Sequence, residues 1–292
     1  MNVGVIDIGT NSMRLLITDG SNEVGRWVEV TGLGGGVDRT GVLDDDAVAN
    51  TIEVFARFGD LMTDHSVVKR TAIATSASRD AANRESFFDR AQSALGVRPE
   101  LISGEREGRL AFAGALSGRS FPSPVVVSDI GGGSTEFVTD TDVASVDIGS
   151  VRLTERHLRE RPPTKEQLSH SMIEIARMFG NLEIGPVETH IGVAGTWTSL
   201  AAISLDLQVY DSERVHGHVL TNAALDAVVE RLRGMTIEET AAIPSLDPAR
   251  APVILAGATV ATVVTEVLGV SGTVVSEHDT LDGVAFELLA IL

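Results

Sequence analysis

Asp7 and Asp129 each close an apolar, β-branched run, and each is followed by Ile-Gly and then, five residues after the acid, by a serine. The first segment reads Val3-Gly4-Val5-Ile6-Asp7-Ile8-Gly9-Thr10-Asn11-Ser12-Met13-Arg14-Leu15-Leu16. The second reads Val125-Val126-Val127-Ser128-Asp129-Ile130-Gly131-Gly132-Gly133-Ser134-Thr135-Glu136-Phe137-Val138. Each predicts strand, tight turn, strand. The first run delivers a carboxylate at its end, small residues let backbone N–H groups approach an anion, and a second apolar run leads away. Two matched copies point to two phosphate-binding hairpins. They diverge seven residues after the acid, where the first has Arg14 and the second Glu136. One copy is suited to gripping an anion and the other to holding a metal ion or water. The blander readings stay open at this point: either Asp could cap its turn, and Glu136 could lie on a solvated strand face.

The elements around these hairpins suggest two lobes. After the first hairpin come a strand at 23–30, a glycine-rich turn at 32–36, a helix from about Asp44 with an acid at its start, a strand at 69–76, a helix at 83–95, a strand at 97–102 and a helix at 105–116. A turn-rich link at 117–124 follows, and the order restarts with strands at Val125, Thr135 and Val143. Helices are then expected at 151–159, 164–180, 222–234, 248–268 and 280–292, with strands at 189–193 and 273–276. This is an α/β pattern of two RNase-H-like domains, residues 1–117 with 281–292 and residues 118–280.

The chain has 292 residues, 43% of them hydrophobic, enough for two moderate cores. Its 23 basic and 41 acidic residues give a net charge of −18, whose field disfavours nucleic acid and anionic membrane as partners. A phosphate substrate must therefore be captured locally. There is no cysteine, which excludes disulfides, thiol catalysis and cysteine-based zinc sites. His216 and His218 give a short His-x-His, and no histidine has a spacing that assigns it a role. The first strand begins too close to Met1 for a signal peptide, so a cytoplasmic protein is expected. The apolar segment 253–270 carries Glu266, several Thr and two Gly, and reads as a buried core helix rather than a membrane span.

Two hairpins of this kind resemble those of the actin, Hsp70 and sugar-kinase superfamily, whose two actin-like lobes face each other across a cleft. Thr75-Ser76-Ala77-Ser78-Arg79-Asp80-Ala81-Ala82-Asn83, Ile102-Ser103-Gly104-Glu105-Arg106-Glu107-Gly108-Arg109 and Asp129-Ile130-Gly131-Gly132-Gly133-Ser134-Thr135-Glu136 resemble the successive motifs of the exopolyphosphatase and guanosine pentaphosphate phosphohydrolase family. That resemblance implies hydrolysis of terminal phosphate from inorganic polyphosphate, with guanosine pentaphosphate as the alternative substrate. A nucleotide-binding regulator or kinase on the same fold, and a polyphosphate sensor without activity, are the readings from another class.

Phosphoanhydride hydrolysis needs charge neutralisation, donors on phosphoryl oxygens and a group that orients or deprotonates water. By resemblance Glu107 takes the last role, since it falls on the family's proposed catalytic glutamate. Asp7, Asp129 and Glu136 are the candidate ligands for Mg2+, with Mn2+ as the alternative. Arg14 and Arg79 are the phosphate clamps, with the backbone amides of Thr10, Asn11, Ser12, Gly132, Gly133, Ser134 and Thr135 completing the cradle. Gly195-Thr196 resembles the family's late glycine motif or simply starts a helix. Arg152, Arg156 and Arg159 form a basic row that could contact distal phosphates or be a solvated face, and a preference for short chains is expected. A homodimer is carried as a further expectation. Two departures from the family pattern stand out. Arg106 occupies the place of the first of two adjacent acids, and Glu277-His278-Asp279-Thr280-Leu281-Asp282-Gly283 lacks the Arg of the usual closing turn. Both bear on whether the chain is active.

Overall fold

The computed structural model describes residues 1–291. In chain order the first half contains strands β1 (Asn2–Ile8), β2 (Ser12–Thr18) and β3 (Glu23–Val30), helices α1 (Val37–Thr40) and α2 (Asp45–Asp64), β4 (Val67–Ala74), α3 (Ser76–Asp80), α4 (Arg84–Leu95), β5 (Glu100–Leu101) and α5 (Gly104–Ala115). The second half contains β6 (Val125–Ile130), β7 (Thr135–Val138), β8 (Val143–Val146), α6 (Ser150–His157), α7 (Lys165–Phe179), β9 (Thr189–Val193), α8 (Ala194–Ser204), α9 (Ser212–Val215), β10 (Val219–Thr221), α10 (Asn222–Arg233), α11 (Ile237–Ala241), a 3-10 turn at Pro248–Arg250, α12 (Ile254–Leu268), β11 (Gly272–Val275) and α13 (Thr280–Ala290). The chain divides into two compact units, Met1–Gly114 with the segment from Thr280 on, and Ala115–Asp279.

The two sheets repeat one plan. The first has the order β3-β2-β1-β4-β5, with β1, β2 and β3 antiparallel and β4 and β5 parallel to β1. The second runs β10-β11-β9-β6-β7-β8, with β6, β7 and β8 antiparallel, β9 and β11 parallel to β6, and β10 added antiparallel at the edge. Each is the mixed sheet of an RNase-H-like, actin-type α/β domain.

Strand alternation decides which side of each sheet can do chemistry. In β1, Ile6 and Ile8 join Phe55, Phe58 and Met62 of α2 and Phe87 and Phe88 of α4 in one core. Val3 and Val5 join Leu110 of α5 and Leu281, Val284 and Leu288 of α13 in another. Asp7 shares the parity of Val3 and Val5, so it lies on the α5 side. In β6, Val126 and Ile130 enter the core with Trp197 and Leu200 of α8 and Val260 and Val264 of α12. Asp129 has the opposite parity and leaves that core. Ser128 beside it faces inward, where its hydroxyl meets His190 Nε2 at 2.8 Å and accepts from Trp197 Nε1 at 3.0 Å. His190 Nδ1 meets Thr273 Oγ1 at 2.9 Å, and burial lowers its pKa to about 3, keeping the ring neutral.

Several elements differ from the sequence pattern. The helix expected over 151–159 ends at His157, with Leu158 as its cap. The one expected over 248–268 is a 3-10 turn, capped by Asp247 with Pro248 at its start, followed by α12 from Ile254. Helix α8 lacks an amphipathic period because it is buried nearly all round, so no polar face marks it in the sequence. No helix among the described residues is long and apolar enough to cross a membrane; the apolar stretch after Val253 is α12, an interior helix.

Candidate active site

The first hairpin turns through Gly9-Thr10-Asn11-Ser12, closed by Gly9 N–H donating to Ser12 O at 3.0 Å. A Cβ on Gly9 would sit 2.8 Å from that oxygen, so the turn requires glycine there. The glycine-rich segment after β3 backs it. Gly34 N–H donates to Thr10 O at 2.8 Å, and Thr31 and Gly32 N–H donate to Asn11 O at 3.0 and 2.9 Å. In a trans peptide the carbonyl and the following N–H point in opposite directions. The Asn11 and Ser12 amides therefore point away from the backing segment, as an anion cradle requires. Ala77 N–H donates to Thr10 Oγ1 at 3.2 Å, tying α3 to the same turn. A Cβ on Gly34 would lie 2.3 Å from Thr10 Cγ2. The sequence shows a glycine run at 32–36 but not that it buttresses the turn at 9–12.

The second hairpin repeats the geometry. Gly131 N–H donates to Ser134 O at 3.0 Å. Its backing is the start of α6: Ser150 N–H donates to Gly131 O at 2.9 Å, and Val151 and Arg152 N–H to Gly132 O at 2.8 and 3.1 Å. Arg152 Nε donates to Gly133 O at 2.8 Å. The amides of Gly132, Gly133 and Ser134 thus point away from α6. The approach leaves no room at Gly149, where a Cβ would lie 2.6 Å from the Gly132 carbonyl. Thr135 is buried and its hydroxyl donates to Ile148 O at 2.6 Å, so its side chain supports the turn. Thr196 Oγ1 donates to Ile130 O at 2.9 Å; Gly195-Thr196 is the first turn of α8, anchored to the base of this loop.

Register makes the seventh-position difference a matter of cross-strand chemistry. Asp7 pairs with Arg14, and Asp129 pairs with Glu136; opposite residues in an antiparallel pair share a face with Cβ atoms about 4.5–5.5 Å apart. In the first hairpin Arg14 donates from Nη2 and Nε to Asp7 Oδ2 at 2.5 and 3.1 Å. In the second, two carboxylates stand together, Asp129 4% exposed and Glu136 0%, with Ser145 Oγ donating to Glu136 Oε1 at 2.8 Å. Among the described residues no three His, Asp or Glu side chains are grouped to hold a metal. Asp129 and Glu136 form a two-carboxylate set of hard oxygens, while Asp7 is engaged by Arg14.

Helix α5 brings in the last acid. Ser103 caps it, its Oγ accepting from Arg106 N–H at 3.2 Å, while Ser103 O accepts from Glu107 N–H at 2.9 Å. Glu107 Oε2 accepts from Arg79 Nη1 at 2.7 Å, and the same nitrogen donates to Ile102 O at 3.1 Å. Burial raises the Glu107 pKa above the ordinary carboxylate value; Arg79 and Arg14 oppose that rise and Asp7 adds to it. Asp7, Arg14, Arg79 and Glu107 are one electrostatic group on the α5 side of the first sheet. Arg106 is not part of it: its guanidinium goes to Glu100 and, at 3.1 Å, to Glu287. Successive helical residues point about 100° apart, so the substituted acid leaves Glu107 untouched. The altered closing turn is structural as well. Asp282 accepts from Arg26 Nη2 at 2.9 and 3.0 Å, and Gly283 lets α13 meet α5 where a Cβ would lie 2.2 Å from Leu110 O.

The basic row disperses. Arg152 turns to Gly133, Arg156 to Glu174 at 2.5 Å, and Arg159, past the end of α6, donates to Glu155 O at 2.7 Å.

A model of the Ppx/GppA phosphatase family matches residues 17–291. The chain belongs to that family. It is 39% identical to a protein of Mycobacterium tuberculosis named Exopolyphosphatase 2, over 98% of each chain. Among solved structures it is similar to an exopolyphosphatase-like protein (TM-score 0.94, 35% identity, 100% of this chain and 99% of that one). It is also similar to the Aquifex aeolicus Ppx/GppA family member (TM-score 0.83, 33% identity, 100% and 98%). Phosphoanhydride hydrolysis is the family's chemistry.

Proposed function

We propose that this Ppx/GppA family member is an exopolyphosphatase that releases orthophosphate from the end of inorganic polyphosphate. The observation that carries the reading is the Glu107 group: a carboxylate whose proton affinity is raised by burial, held by an arginine beside a phosphate-binding turn. Glu107 accepts a proton from water as the water oxygen attacks the terminal phosphorus. The bridging P–O bond breaks, and the shortened chain leaves on its own oxygen. In the first unit Arg14 and Arg79 hold phosphoryl oxygens beside the amides of Thr10, Asn11 and Ser12; the second unit offers its own donor set, the amides of Gly132, Gly133, Ser134 and Thr135. Asp129 and Glu136 fit a divalent cation, because directly opposed buried carboxylates repel one another and Mg2+ takes one or two carboxylates together with substrate phosphates. A cation bound there neutralises charge on the phosphoryl oxygens.

Short chains are the preferred substrates in this reading. Arg152, Arg156 and Arg159 spend hydrogen bonds on internal partners, which supports weak engagement of distal phosphates. The test is phosphate release from tripolyphosphate, long-chain polyphosphate, guanosine pentaphosphate and ATP side by side with Mg2+ and Mn2+. Polyphosphate turnover should dominate; dominant ATP turnover sinks the reading, and dominant guanosine pentaphosphate turnover replaces it.

A further inference from the structure

The carbonyl that precedes the serine amide of the cradle, Ser12 or Ser134, is held differently in the two turns. In the first hairpin Asn11 O accepts from two backbone N–H groups, Thr31 and Gly32. In the second hairpin the equivalent carbonyl, Gly133 O, accepts from the side chain of Arg152. The backbone N–H groups at the start of α6 reach Gly131 and Gly132, one and two peptides earlier. Gly133 lies between glycine and serine, so its peptide has wide rotational freedom. A Gly133–Ser134 peptide that flips would turn the Ser134 amide away from any bound phosphate.

We propose that Arg152 is a positioning residue that sets the Gly133–Ser134 peptide and so aims the Ser134 amide at phosphate. It acts on the loop through Gly133 O, from the α6 side. This replaces a distal-phosphate role for that arginine, and it rests on the reading of the second turn as an anion cradle. The two supporting facts are independent: the 2.8 Å bond from Nε to Gly133 O, and the closure of the turn by Gly131 N–H and Ser134 O at 3.0 Å, within which the carbonyls of the other two peptides, Gly131 O and Gly132 O, are already held by backbone N–H groups of α6.

Arg152→Met and Arg152→Lys separate the roles. In a 15N amide spectrum of the wild type, the Ser134 resonance should move on addition of inorganic phosphate with Mg2+. In Arg152→Met that movement should be lost while the Asn11 and Ser12 resonances still respond. No Ser134 response in the wild type, or an unaltered response in Arg152→Met, overturns the proposal whatever the enzyme's substrate proves to be. In turnover, Arg152→Met should lower kcat at least about ten-fold, below the 10²–10³-fold of deleting an oxyanion donor outright. The loss should be equal on tripolyphosphate and long polyphosphate, with little change in Tm. Arg152→Lys, which keeps the charge but not the Nε geometry, should not restore it. A loss confined to long chains, or rescue by lysine, assigns Arg152 to substrate charge and overturns positioning. A fall in Tm that accounts for the lost activity makes it a scaffold residue and overturns it equally.

Discussion

The two hairpins share a turn and differ in what stands across from the aspartate. In the first, Arg14 meets Asp7, and the Arg79–Glu107 pair lies in the same electrostatic group. In the second, Glu136 meets Asp129 with both carboxylates buried. One duplicated frame carries two charge patterns, a mixed-charge group and an acidic pair, which the proposed function uses for anion and proton handling and for a cation. The difference teaches that the seventh position after the aspartate sets the charge beside the acid, because antiparallel register places it directly across the ladder.

The sharpest way to break this division is Glu107→Gln. An amide keeps the shape and can still meet Arg79, but it cannot take water's proton. Turnover should fall about 10²–10⁴-fold, with polyphosphate binding retained in equilibrium dialysis. Its raised pKa adds a pH signature: as pH falls through the elevated value the base is protonated, so kcat/KM should drop on the acid side, and the limb should vanish in the mutant. A variant with more than about a tenth of wild-type rate would take Glu107 out of the reaction.

Next come the paired acids. Asp129→Asn and Glu136→Gln should raise the half-saturating Mg2+ concentration, on the order of ten-fold or more, because neutral oxygens bind a hard divalent cation poorly. Asp7→Asn should act differently, loosening Arg14 and raising KM for phosphate chains with a smaller change in metal response. If Mg2+ titrations shift equally in all three variants, Asp7 shares the metal and the proposed division between the hairpins fails.

The backing of each turn gives a smaller and more even effect. Gly34→Ala forces a Cβ to within 2.3 Å of Thr10 Cγ2, and Gly149→Ala forces one to within 2.6 Å of the Gly132 carbonyl. Overpacking typically costs about 1–3 kcal/mol, readable as a shift in urea midpoint. Gly149→Ala presses on backbone and should be the worse of the two. Equal midpoints to wild type would mean the turns are not held from behind.

Much of this was legible in the sequence, for reasons visible in particular residues. Strand, glycine turn, strand is a local pattern, so Asp7, Asp129, Arg14 and Glu136 could be picked out before any fold was known, whereas the register that sets Arg14 beside Asp7 and Glu136 beside Asp129 came from the structure. The roles of Gly34, Gly149 and Gly283 were hidden, because each is defined by an atom far away in the chain. Arg152 was visible only as a charge, since spacing on a helix shows which residues share a face and not which carbonyl lies beneath them; its bond to Gly133 O needed the fold. Helix α8 escaped because a buried helix has no polar stripe to betray its period.

The smallest effect is expected at Arg106, and it decides whether the first hairpin's chemistry survives a substitution next to its acid. Had the guanidinium faced Glu107, it would have lowered that carboxyl's proton affinity and weakened it as a base. Instead it lies between Glu100 and Glu287 on half-exposed surface, and the groups that move the Glu107 pKa are Arg79, Asp7 and Arg14. Arg106→Gln should therefore change kcat less than about three-fold and leave the acid limb where it is. The cost should appear in stability, at roughly 0.2–1 kcal/mol per exposed pair lost, and shrink with added salt. A displaced acid limb would show that Arg106 reaches the base after all, and that the helix face separating the two residues does not insulate them.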